Sequence, residues 1–538
     1  MKVVIIGGVA VGASVATNLR RMNEEIEIVI LEKGKYISYA NCGLPYYIGG
    51  VIKEKSALEV VTKEQMAHKF NVDVRILNEV IDIDVEKKMV KVLNRETGSE
   101  YEESFDKLVV SPGANPIVPN IEGKDLENVF TLRTIPDTYA IKDYADREDV
   151  KSALVIGAGY IGIEVAENLR HQGLNVTIVE KAESILGVFD EDISVFAKNE
   201  LVKNGIDILT EAEVSKIESD RALLSNGLEV KADMVIMAIG VKPEVGFLKG
   251  KIEIGNTGGI LVDKNLKTSN EDIYAGGDAI ETRHFITGEK SLIPLAGPAN
   301  KHGKIIAQNI LGSDAEYKGS LGSSVLKVFN YTLASVGVNE KTLKRLGVKY
   351  NVVLSHLKSH AGYYPGASPV HLKLIFDDNG KILGAQAAGI DMVEKRIDVI
   401  ATAIKLGAKV SDLEELELTY APPYSSAKDP VNLAGSMANN VVEGELKTIN
   451  VSELTDEYVI VDVREKMELM FGMIDGAMHV PLSEFRNRFN EIPKDKKVVL
   501  YCAIGGRSYT AYRILKNNGY ESIFNLNGGY LTYTLIKN

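Results

Sequence analysis

Residues 151–181 read KSALVIGAGYIGIEVAENLRHQGLNVTIVEK, and this stretch decides the fold of the chain. An apolar strand leads into Gly157, Gly159 and Gly162 in a Gly-x-Gly-x-x-Gly spacing, followed by a helix and a second apolar strand that ends at Glu180. In such a unit the glycines let the backbone approach a pyrophosphate at the helix N-terminus, and the acid holds a ribose hydroxyl. The sequence therefore predicts a Rossmann-like dinucleotide-binding domain.

A second unit of this kind begins at the N-terminus. Residues 2–33 predict a strand, a glycine turn, a helix and a strand, with Gly7 and Gly12 at the outer positions of the spacing, Val9 in the middle and Glu32 at the end. The match is imperfect, and a glycine-rich turn without a nucleotide is the alternative. Two such units, about 150 residues apart, indicate two different dinucleotides, one a flavin and the other a nicotinamide.

Three further features concern these nucleotides. The carboxylate of Glu180 repels a 2′-phosphate and favours NADH, whereas the neighbouring Lys181 leaves NADPH possible. Residues 105–123, FDKLVVSPGANPIVPNIEG, predict a strand that runs into a Gly/Pro crossover between two domains. Asp278 follows a short strand and two glycines in residues 268–281, TSNEDIYAGGDAIE. Its carboxylate suits the flavin ribitol or water at the phosphates, and an ordinary turn residue is the alternative.

Composition excludes several classes of protein. The 538 residues are enough for about three or four domains, and the net charge of −12 with dispersed Lys and Arg makes nucleic acid an improbable partner. No apolar run is long enough to span a membrane, and the chain enters a strand directly at its start, so we expect a soluble cytoplasmic protein. The two cysteines lie far apart, which argues against a structural disulfide. We assign no metal.

Cys42 lies in residues 38–50, SYANCGLPYYIGG, just after the first glycine unit. A thiolate is stabilised by backbone N–H groups or a helix N-terminus, and LPYYIGG is able to begin such a helix. Cys42 is therefore a candidate catalytic nucleophile, and Ser38 and Asn41 of the same stretch are candidate cofactor-binding residues. The alternative is a buried, inert cysteine, the commonest fate of a free cysteine.

The order of these motifs resembles the pyridine nucleotide-disulfide reductase superfamily. Residues 1 to about 440 are similar to its single-cysteine branch, which includes coenzyme A-disulfide reductases, NADH oxidases and NADH peroxidases. The oxidases and peroxidases commonly carry a His in the first glycine loop, where this chain has Ala10. The resemblance implies FAD and NAD(P)H as cofactors and coenzyme A as a substrate or bound ligand. Arg20 and Arg21 are candidates for the coenzyme A phosphates, although an Arg pair on a helix is usually a solvated face.

Residues 323–440 resemble the dimerisation domain of that family. Two stretches, SHAGYYPGA at 359–367 and LTYAPPYSSAKDPVN at 418–432, match segments that carry tyrosines to the partner subunit's active site in coenzyme A-disulfide reductases. The resemblance implies a homodimer in which Tyr420, and Tyr363 or Tyr364, act at the substrate. A phenol hydroxyl there donates to a leaving thiolate. Packing of these rings in the subunit interface is the alternative.

Residues 446–538 resemble a rhodanese domain that follows a polar and, we expect, flexible link at 439–445. The second cysteine, Cys502, begins the loop CAIGGRS, whose successive N–H groups wrap around the sulfur while Arg507 adds positive charge. Such a loop stabilises a thiolate or a persulfide. Asp462 and Arg464, in VDVRE, are expected to form a structural ion pair.

These features predict an α/β fold with four parts. They are an FAD-binding domain (1–112 and 250–322), an NAD(P)H-binding domain (113–249), an α+β dimerisation domain (323–440) and an α/β rhodanese domain (446–538). We expect NAD(P)H-linked reduction of coenzyme A disulfide, or of coenzyme A persulfide or polysulfide, through Cys42. The substrates are small thiols and persulfides, and the rhodanese domain handles sulfane sulfur. Because no second cysteine lies near Cys42, the flavin itself is expected to resolve the bond formed there.

Two other functions stay open at this point. The first is an NADH oxidase or peroxidase that cycles Cys42 through a sulfenic acid. Ala10 and the rhodanese domain count against it. The second is a sulfurtransferase centred on Cys502, in which the flavin portion senses redox state.

Overall fold

The computed structural model describes residues 1–537 and divides into two compact units. The first unit comprises Met1–Ile185 and Asn204–Gly322, and the second comprises Leu186–Lys203 with the chain from Ser323 onward. The predicted α/β fold class is confirmed. Within the described residues, no helix has the length and apolar character that crossing a bilayer requires.

The first unit contains a five-stranded parallel sheet that begins at the N-terminus. Its strands lie in the order Ile273–Ala275, Lys107–Val110, Lys2–Ile6, Glu27–Glu32 and Asp73–Ile76. The helices Ala10–Met22 and Ala296–Ile310 pack against each other beside it. These strands come from both sequence segments that were assigned to the FAD-binding domain. Gly12 is required here, because a Cβ at this position would overlap the carbonyl oxygen of Gly7.

A second five-stranded parallel sheet repeats this plan in the same unit. Its strands lie in the order Ile206–Leu209, Asn175–Val179, Ser152–Ile156, Met234–Met237 and Val129–Thr131. The helix Tyr160–His171 follows the glycine turn, and the helix Ile135–Ala145 precedes the first strand of the βαβ unit. Gly162 stands in the same relation to the carbonyl oxygen of Gly157 as Gly12 does to Gly7.

Smaller elements complete the first unit. The helices Leu44–Ile48 and Lys63–Phe70 follow the first two strands of the N-terminal sheet. The remaining strands are antiparallel and form two three-stranded sheets and two pairs: Asn78–Asp84, Met89–Asn94 and Glu100–Ser104; Val214–Ile217, Arg221–Leu224 and Glu229–Lys231; Ala114–Pro116 with Val241–Pro243; and Thr282–Arg283 with Lys290–Ser291.

The second unit begins with a five-stranded antiparallel sheet. Its strands lie in the order Ser324–Val328, Tyr331–Gly337, Ile382–Gly389, Pro369–Phe376 and Asn351–Lys358. Five helices belong to this part: Glu191–Lys203, Glu340–Leu346, Val393–Leu406, Val410–Glu415 and Pro430–Val442. The first of them comes from the short segment Leu186–Lys203 and packs on the sheet.

The last part of the second unit is a parallel sheet with flanking helices. The strands lie in the order Thr448–Ile449, Ile523–Leu526, Lys497–Tyr501, Tyr458–Asp462 and Met478–His479. The helices are Phe485–Arg488, Gly506–Asn517 and Gly529–Lys537.

The expectation of a flexible link before this last part is wrong. The chain leaves the helix Pro430–Val442 and buries Leu446 within a few residues. The carbonyl of Val352, in the antiparallel sheet, accepts hydrogen bonds from Thr448 Oγ1 at 3.0 Å and from Asn527 Nδ2 at 3.1 Å. These bonds hold the two sheets together, because the polar groups they satisfy would otherwise be buried without partners. The link is polar in sequence and fixed in structure.

A buried ion cluster ties the segment Leu186–Lys203 to the antiparallel sheet. Lys373 is fully buried, and its Nζ lies 2.8 Å from Asp192, 2.5 Å from Glu340 and 3.1 Å from Asp190. Burial disfavours the charged amine, but the three carboxylates outweigh this effect and raise the pKa of Lys373. The cluster therefore holds one cation among three acids.

We expect Lys373→Met to destabilise the second unit by about 3–5 kcal/mol, because it leaves buried carboxylates without their cation. Urea denaturation followed by circular dichroism measures this loss as a lower unfolding free energy. Lys497→Met is the matched control, since its surface pair with Glu457 contributes little. Equal stability of the two variants would show that the cluster does not hold this unit together.

Candidate functional site

The first glycine turn leaves the N-terminus of the helix Ala10–Met22 open. No side chain caps this helix, and its first turn carries no acid, so its N–H groups are free for an anion. Gly7 has φ of +87°, and a Cβ there would overlap the Ser111 carbonyl. Glu32 is buried at the end of the second strand and accepts a hydrogen bond from Gly8 N at 2.8 Å. Burial raises the pKa of Glu32, while this bond opposes the rise.

The second glycine turn has the same features. The helix Tyr160–His171 also begins without a side-chain cap or an acid in its first turn. Gly157 has φ of +102°, and a Cβ at Gly159 would meet open space. Glu180 accepts a hydrogen bond from Ala158 N at 2.8 Å, as Glu32 does at the first turn. Both turns thus fit a dinucleotide pyrophosphate and ribose.

Cys42 lies in a short 3₁₀ turn, Asn41–Gly43, that runs directly into the helix Leu44–Ile48. Cys42 is exposed and so is not the fully buried cysteine of the alternative, although neighbouring protein still partly encloses its sulfur. Asn41 Oδ1 is buried without a hydrogen-bond partner, which suits a residue that contacts a bound ligand. Ser38 has φ of +45°, a left-handed conformation that is uncommon outside glycine and concentrates at functional sites.

Both partial burial and the nearby charges favour the thiol form of Cys42 over the thiolate. Burial is the largest cause of a raised Cys42 pKa, followed by the negative charges of Glu164 and Asp278, and only Arg133 lowers it. The helix that the sequence predicted after Cys42 has to act against these effects. The helix is present, but it has only five residues and the two acids oppose it.

Arg133 and Asp278 form an ion pair beside Cys42, with 2.8 Å between Nη2 and Oδ2. Asp278 follows the strand Ile273–Ala275, and the two glycines before it pack against Val11 of the first nucleotide helix. Arg133 was missed in the sequence. It follows the strand Val129–Thr131 by two residues, and the carboxyl end of a parallel strand was the available signal.

Glu164 and Tyr46 were also missed in the sequence. The Tyr46 hydroxyl donates to Glu164 Oε1 at 3.3 Å, joining the short helix after Cys42 to the helix Tyr160–His171. Burial raises the pKa of Glu164 to about 7. The helices lie so close that a Cβ on Gly49 would overlap the Asn168 side chain. The sequence did offer a signal for Glu164, because an acid two residues after Gly162 is unusual on this otherwise apolar part of the helix.

We expect Glu164→Gln to lower the pKa of Cys42, because the amide removes a negative charge that raises it. The rate of Cys42 alkylation by iodoacetamide, measured against pH, should therefore rise at a lower pH than in the parent protein. The two profiles should converge below about pH 6, where Glu164 is protonated. Glu54→Gln removes an exposed carboxylate of the same unit and is the control. Superimposable profiles at all pH values would contradict the assignment.

The proposed phosphate role of Arg20 is wrong. Its guanidinium is buried and donates to the backbone carbonyls of Phe70, Asn23, Glu24, Ile26 and Asn71. All of its donors are therefore used within the fold, and none is left for a ligand. Arg21 is exposed and lies over the Phe70 ring, so it stays a candidate.

The structure distinguishes between the predicted tyrosines of the dimerisation domain. The hydroxyl oxygens of Tyr363 and Tyr420 lie 2.8 Å apart, and both side chains are exposed. The hydrogen bond to Tyr363 is the main cause of a raised Tyr420 pKa. Tyr364 instead packs edge-on against His360, with 5.7 Å between ring centroids. Tyr363 and Tyr420 form a pair, and Tyr364 lies outside it.

The Cys502 loop surrounds its sulfur with donors. Gly505 N lies 3.2 Å from Sγ and Ser508 Oγ lies 3.6 Å from it, and the thiol is only 1% exposed. The loop ends at the helix Gly506–Asn517. Asp462 and Arg464 form a buried ion pair of 2.6 Å, in agreement with their predicted structural role.

Arg507 interacts with Cys502, as expected, and it is also paired with an acid. Its two terminal nitrogens lie 2.5 and 2.7 Å from the carboxylate oxygens of Glu468. The hydrogen bonds from Arg507 lower the pKa of Glu468 to about 2. Glu468 lies 39 residues before Arg507, on a separate 3₁₀ turn, and no local motif signalled this pairing.

Comparison with known sequence families accounts for all of these parts. Residues 1–303 match the pyridine nucleotide-disulphide oxidoreductase family, residues 323–430 match the dimerisation domain of the same family, and residues 449–535 match the rhodanese-like domain. The chain belongs to the pyridine nucleotide-disulphide oxidoreductase family and carries a C-terminal rhodanese-like domain. Membership of this family implies FAD and a nicotinamide nucleotide as cofactors.

Within this family, the chain is similar to several individual proteins. The chain is 38% identical to the coenzyme A disulfide reductase of Staphylococcus epidermidis over 440 residues, which cover 81% of this chain and 99% of that protein. The reduced CoADR-RHD of Bacillus anthracis superposes with a TM-score of 0.97 at 47% identity, over 99% of this chain and 98% of that one. A NAD-dependent persulfide reductase from A. fulgidus gives a TM-score of 0.93 at 40% identity, over 99% and 100% of the two chains.

Proposed function

We propose that this protein is a flavin-dependent, NAD(P)H-linked reductase of coenzyme A disulfide or coenzyme A persulfide. The observation that carries the proposal is the exposed thiol of Cys42, which lies beside the charged groups Glu164, Asp278 and Arg133 with no second cysteine near it in sequence. The only other cysteine, Cys502, lies in a loop built to hold sulfur. The names of the relatives support the substrate class.

We propose that residues 1–112 with 250–322 bind FAD and that residues 113–249 bind the nicotinamide nucleotide. The open helix N-termini and the glycine turns support both assignments. Asp278 Oδ1 stays available for the flavin ribitol while Oδ2 accepts from Arg133. When bound, the flavin supplies two-electron chemistry, taking hydride from the nicotinamide and reducing a sulfur–sulfur bond.

NADH is the proposed reductant, although the sequence left NADPH possible. A 2′-phosphate would meet the Glu180 carboxylate at the end of its strand. Lys181, the residue that could have compensated, is held by Glu213 with 3.0 Å between Nζ and Oε1. This pair is exposed and weak, so the preference for NADH rests on the Glu180 carboxylate.

Three residues have separate roles at this site: Cys42, Glu164 and Tyr46. As a thiolate, Cys42 attacks one sulfur of the substrate disulfide, a mixed disulfide forms, and the other sulfur leaves as a thiolate that takes up a proton. With a persulfide, R–S–SH, Cys42 attacks the outer sulfur and the S–S bond of the substrate breaks. The thiol RSH leaves with the proton, and Cys42 keeps the outer sulfur as a persulfide. Glu164, with its pKa near 7, holds a proton close to Cys42 and so limits the negative charge there. Tyr46 fixes the position of that carboxyl group.

We further propose a homodimer in which the Tyr363 and Tyr420 pair of one subunit serves the Cys42 site of the other. The dimerisation domain supports the dimer. Both hydroxyls are exposed and hydrogen-bonded to each other, so one holds the other in place while it donates to the leaving thiolate. Arg21 is proposed for the phosphates of coenzyme A, since its guanidinium faces solvent.

An NADH oxidase or peroxidase is the second candidate. It requires Cys42 to cycle through a sulfenic acid, and the exposed thiol permits this. Against it, the first glycine loop presents the methyl group of Ala10 to solvent, so no acid–base group is available at that position. Turnover of hydrogen peroxide against turnover of coenzyme A persulfide, both followed as NADH consumption, separates the two functions.

Replacing each of the two cysteines should abolish a different reaction. We expect Cys42→Ser to abolish NADH-dependent reduction of disulfides and persulfides while the protein keeps its flavin, because serine is a poor nucleophile at neutral pH. Cys502→Ser should abolish sulfur transfer from a sulfane donor to cyanide and leave reduction of preformed coenzyme A persulfide largely intact. Flavin absorbance, NADH consumption and thiocyanate formation measure the three properties. Equal loss of persulfide reduction in both variants would mean that sulfur must pass through Cys502 to reach Cys42.

The Tyr420 hydroxyl should matter for turnover and not for assembly. We expect Tyr420→Phe to slow steady-state reduction of coenzyme A disulfide by about 10- to 1000-fold, the cost of losing one donor near developing charge. Flavin content and the oligomeric state by size-exclusion chromatography should not change. Tyr364→Phe is the control, because this ring lies outside the hydroxyl pair. If both variants turn over at the parent rate, the tyrosines only pack in an interface.

A further inference from the structure

The one basic residue of the Cys502 loop is paired with an acid at the entrance to the loop. Arg507, the basic residue of the loop, is held by both oxygens of Glu468. Glu468 Oε2 also accepts from the backbone N–H of Glu465 at 3.0 Å, so the carboxylate is fixed from two sides. Charge-assisted pairs of this bidentate kind are among the stronger hydrogen bonds in proteins. The positive charge of Arg507 is therefore balanced by the negative charge of Glu468.

The turn that supplies Glu468 also presents an exposed apolar surface. On this turn, Lys466–Phe471, the side chains of Met467, Met470 and Phe471 are 83%, 79% and 75% exposed, and Ile504 in the loop itself is 46% exposed. We call these four side chains the apolar rim. Methionine side chains are flexible and adapt to apolar ligands of varied shape. Three of these side chains lie on the turn that Glu468 joins to the loop and the fourth lies on the loop itself, a grouping that favours contact with an apolar group.

The rim is held in place against the loop. The Glu468 and Arg507 pair joins the turn to the loop, and the Tyr530 hydroxyl donates to the Phe471 carbonyl at 3.3 Å. Tyr530 N in turn donates to the Cys502 carbonyl at 2.8 Å. The exposed side chains therefore belong to a fixed entrance rather than to a loose loop.

This entrance distinguishes between two classes of sulfane sulfur donor. Thiosulfate is a dianion, and its sulfonate group would be desolvated beside a cation that is already neutralised. An organic persulfide, R–S–SH, carries at most one negative charge, which lies on its outer sulfur. The loop donors surround Cys502 Sγ, the atom to which this outer sulfur is transferred. The R group of the persulfide occupies the place of the sulfonate and meets the rim. The entrance fits the second class.

We propose that Glu468 and the apolar rim make Cys502 selective for organic persulfides whose R group is uncharged and apolar next to the sulfur, and against thiosulfate. The proposal deepens, and rests on, the sulfur-handling role proposed above for the rhodanese domain. In the step itself, the Cys502 thiolate attacks the outer sulfur of R–S–SH and the S–S bond to R breaks. RS⁻ leaves and takes the persulfide proton, and Cys502 keeps the sulfur as a persulfide anion without net oxidation.

The full-length Cys42→Ser protein, assayed without NADH, tests this step alone. Thiocyanate formation from cyanide, above the enzyme-free rate, is compared for benzyl persulfide and thiosulfate. We expect kcat/KM for benzyl persulfide to exceed that for thiosulfate by at least about 100-fold. Comparable values would overturn the proposal. Because neither NADH nor Cys42 takes part, this outcome is independent of whether the proposed reductase activity is correct.

Glu468→Gln is the sharper test, since it removes the neutralising charge and keeps the shape. We expect kcat/KM for thiosulfate to rise by about 10-fold or more, as Arg507 gains an unpaired charge, while the value for benzyl persulfide changes little. Glu457→Gln, which removes a carboxylate near the opposite end of the strand that leads to Cys502, should change neither. No gain with thiosulfate in a variant that still uses benzyl persulfide would overturn the role of Glu468.

The rim is tested separately by the double variant Met467→Ser and Phe471→Ser. We expect KM for benzyl persulfide to rise about 3- to 10-fold through lost apolar contact, with no change for thiosulfate. Leu406→Ser, another exposed apolar residue of the second unit at 80% exposure, is the control. An unchanged KM for benzyl persulfide would remove the rim from the proposal.

Discussion

Both nucleotide units depend on the close approach of a helix to the carbonyl group at the end of the preceding strand. At Gly12 and at Gly162 there is room for a hydrogen atom and no more, because a Cβ would overlap the carbonyl oxygen of Gly7 or Gly157. This approach brings the uncapped helix N-termini next to Glu32 and Glu180, each of which closes its turn through a backbone N–H. The ligand-binding groups are thus placed by backbone geometry rather than by long side chains.

The site around Cys42 is assembled on that frame from distant parts of the chain. Glu164 belongs to the second nucleotide helix, and Asp278 follows the strand Ile273–Ala275, so both nucleotide units contribute to the charge near one thiol. The balance favours a protonated sulfur, with Arg133 as the opposing cation. The ionisation of this thiol therefore depends on the charges of residues from both units, and not on Cys42 and its own helix alone.

The sequence predicted what depends on local pattern and missed what depends on long-range contact. The glycine turns, the strands, the helix after Cys42 and the Cys502 loop were all predicted, because spacing along the chain determines them. Arg133 pairs with a residue 145 positions away and Tyr46 with one 118 positions away, and no local pattern shows such partners. The Arg20 prediction was wrong for the same reason, since two of its acceptors, Phe70 and Asn71, lie about fifty residues on. A polar link was predicted to be flexible because composition does not show that Asn527 bonds to Val352.

The contact between the antiparallel sheet and the rhodanese part has a consequence for a chain that is cut between them. His356 of the sheet is buried against Thr532 of the last helix, with 2.8 Å between Nε2 and Oγ1, and its other nitrogen lies 2.6 Å from His371. Burial lowers the pKa of His356 to about 3, so the ring stays neutral where the sheet meets the rhodanese part. A deletion after residue 445 would expose these rings and the Val352 carbonyl at once. The two parts are thus joined by buried polar contacts as well as by the chain, and removing one part leaves donors and acceptors of the other without partners.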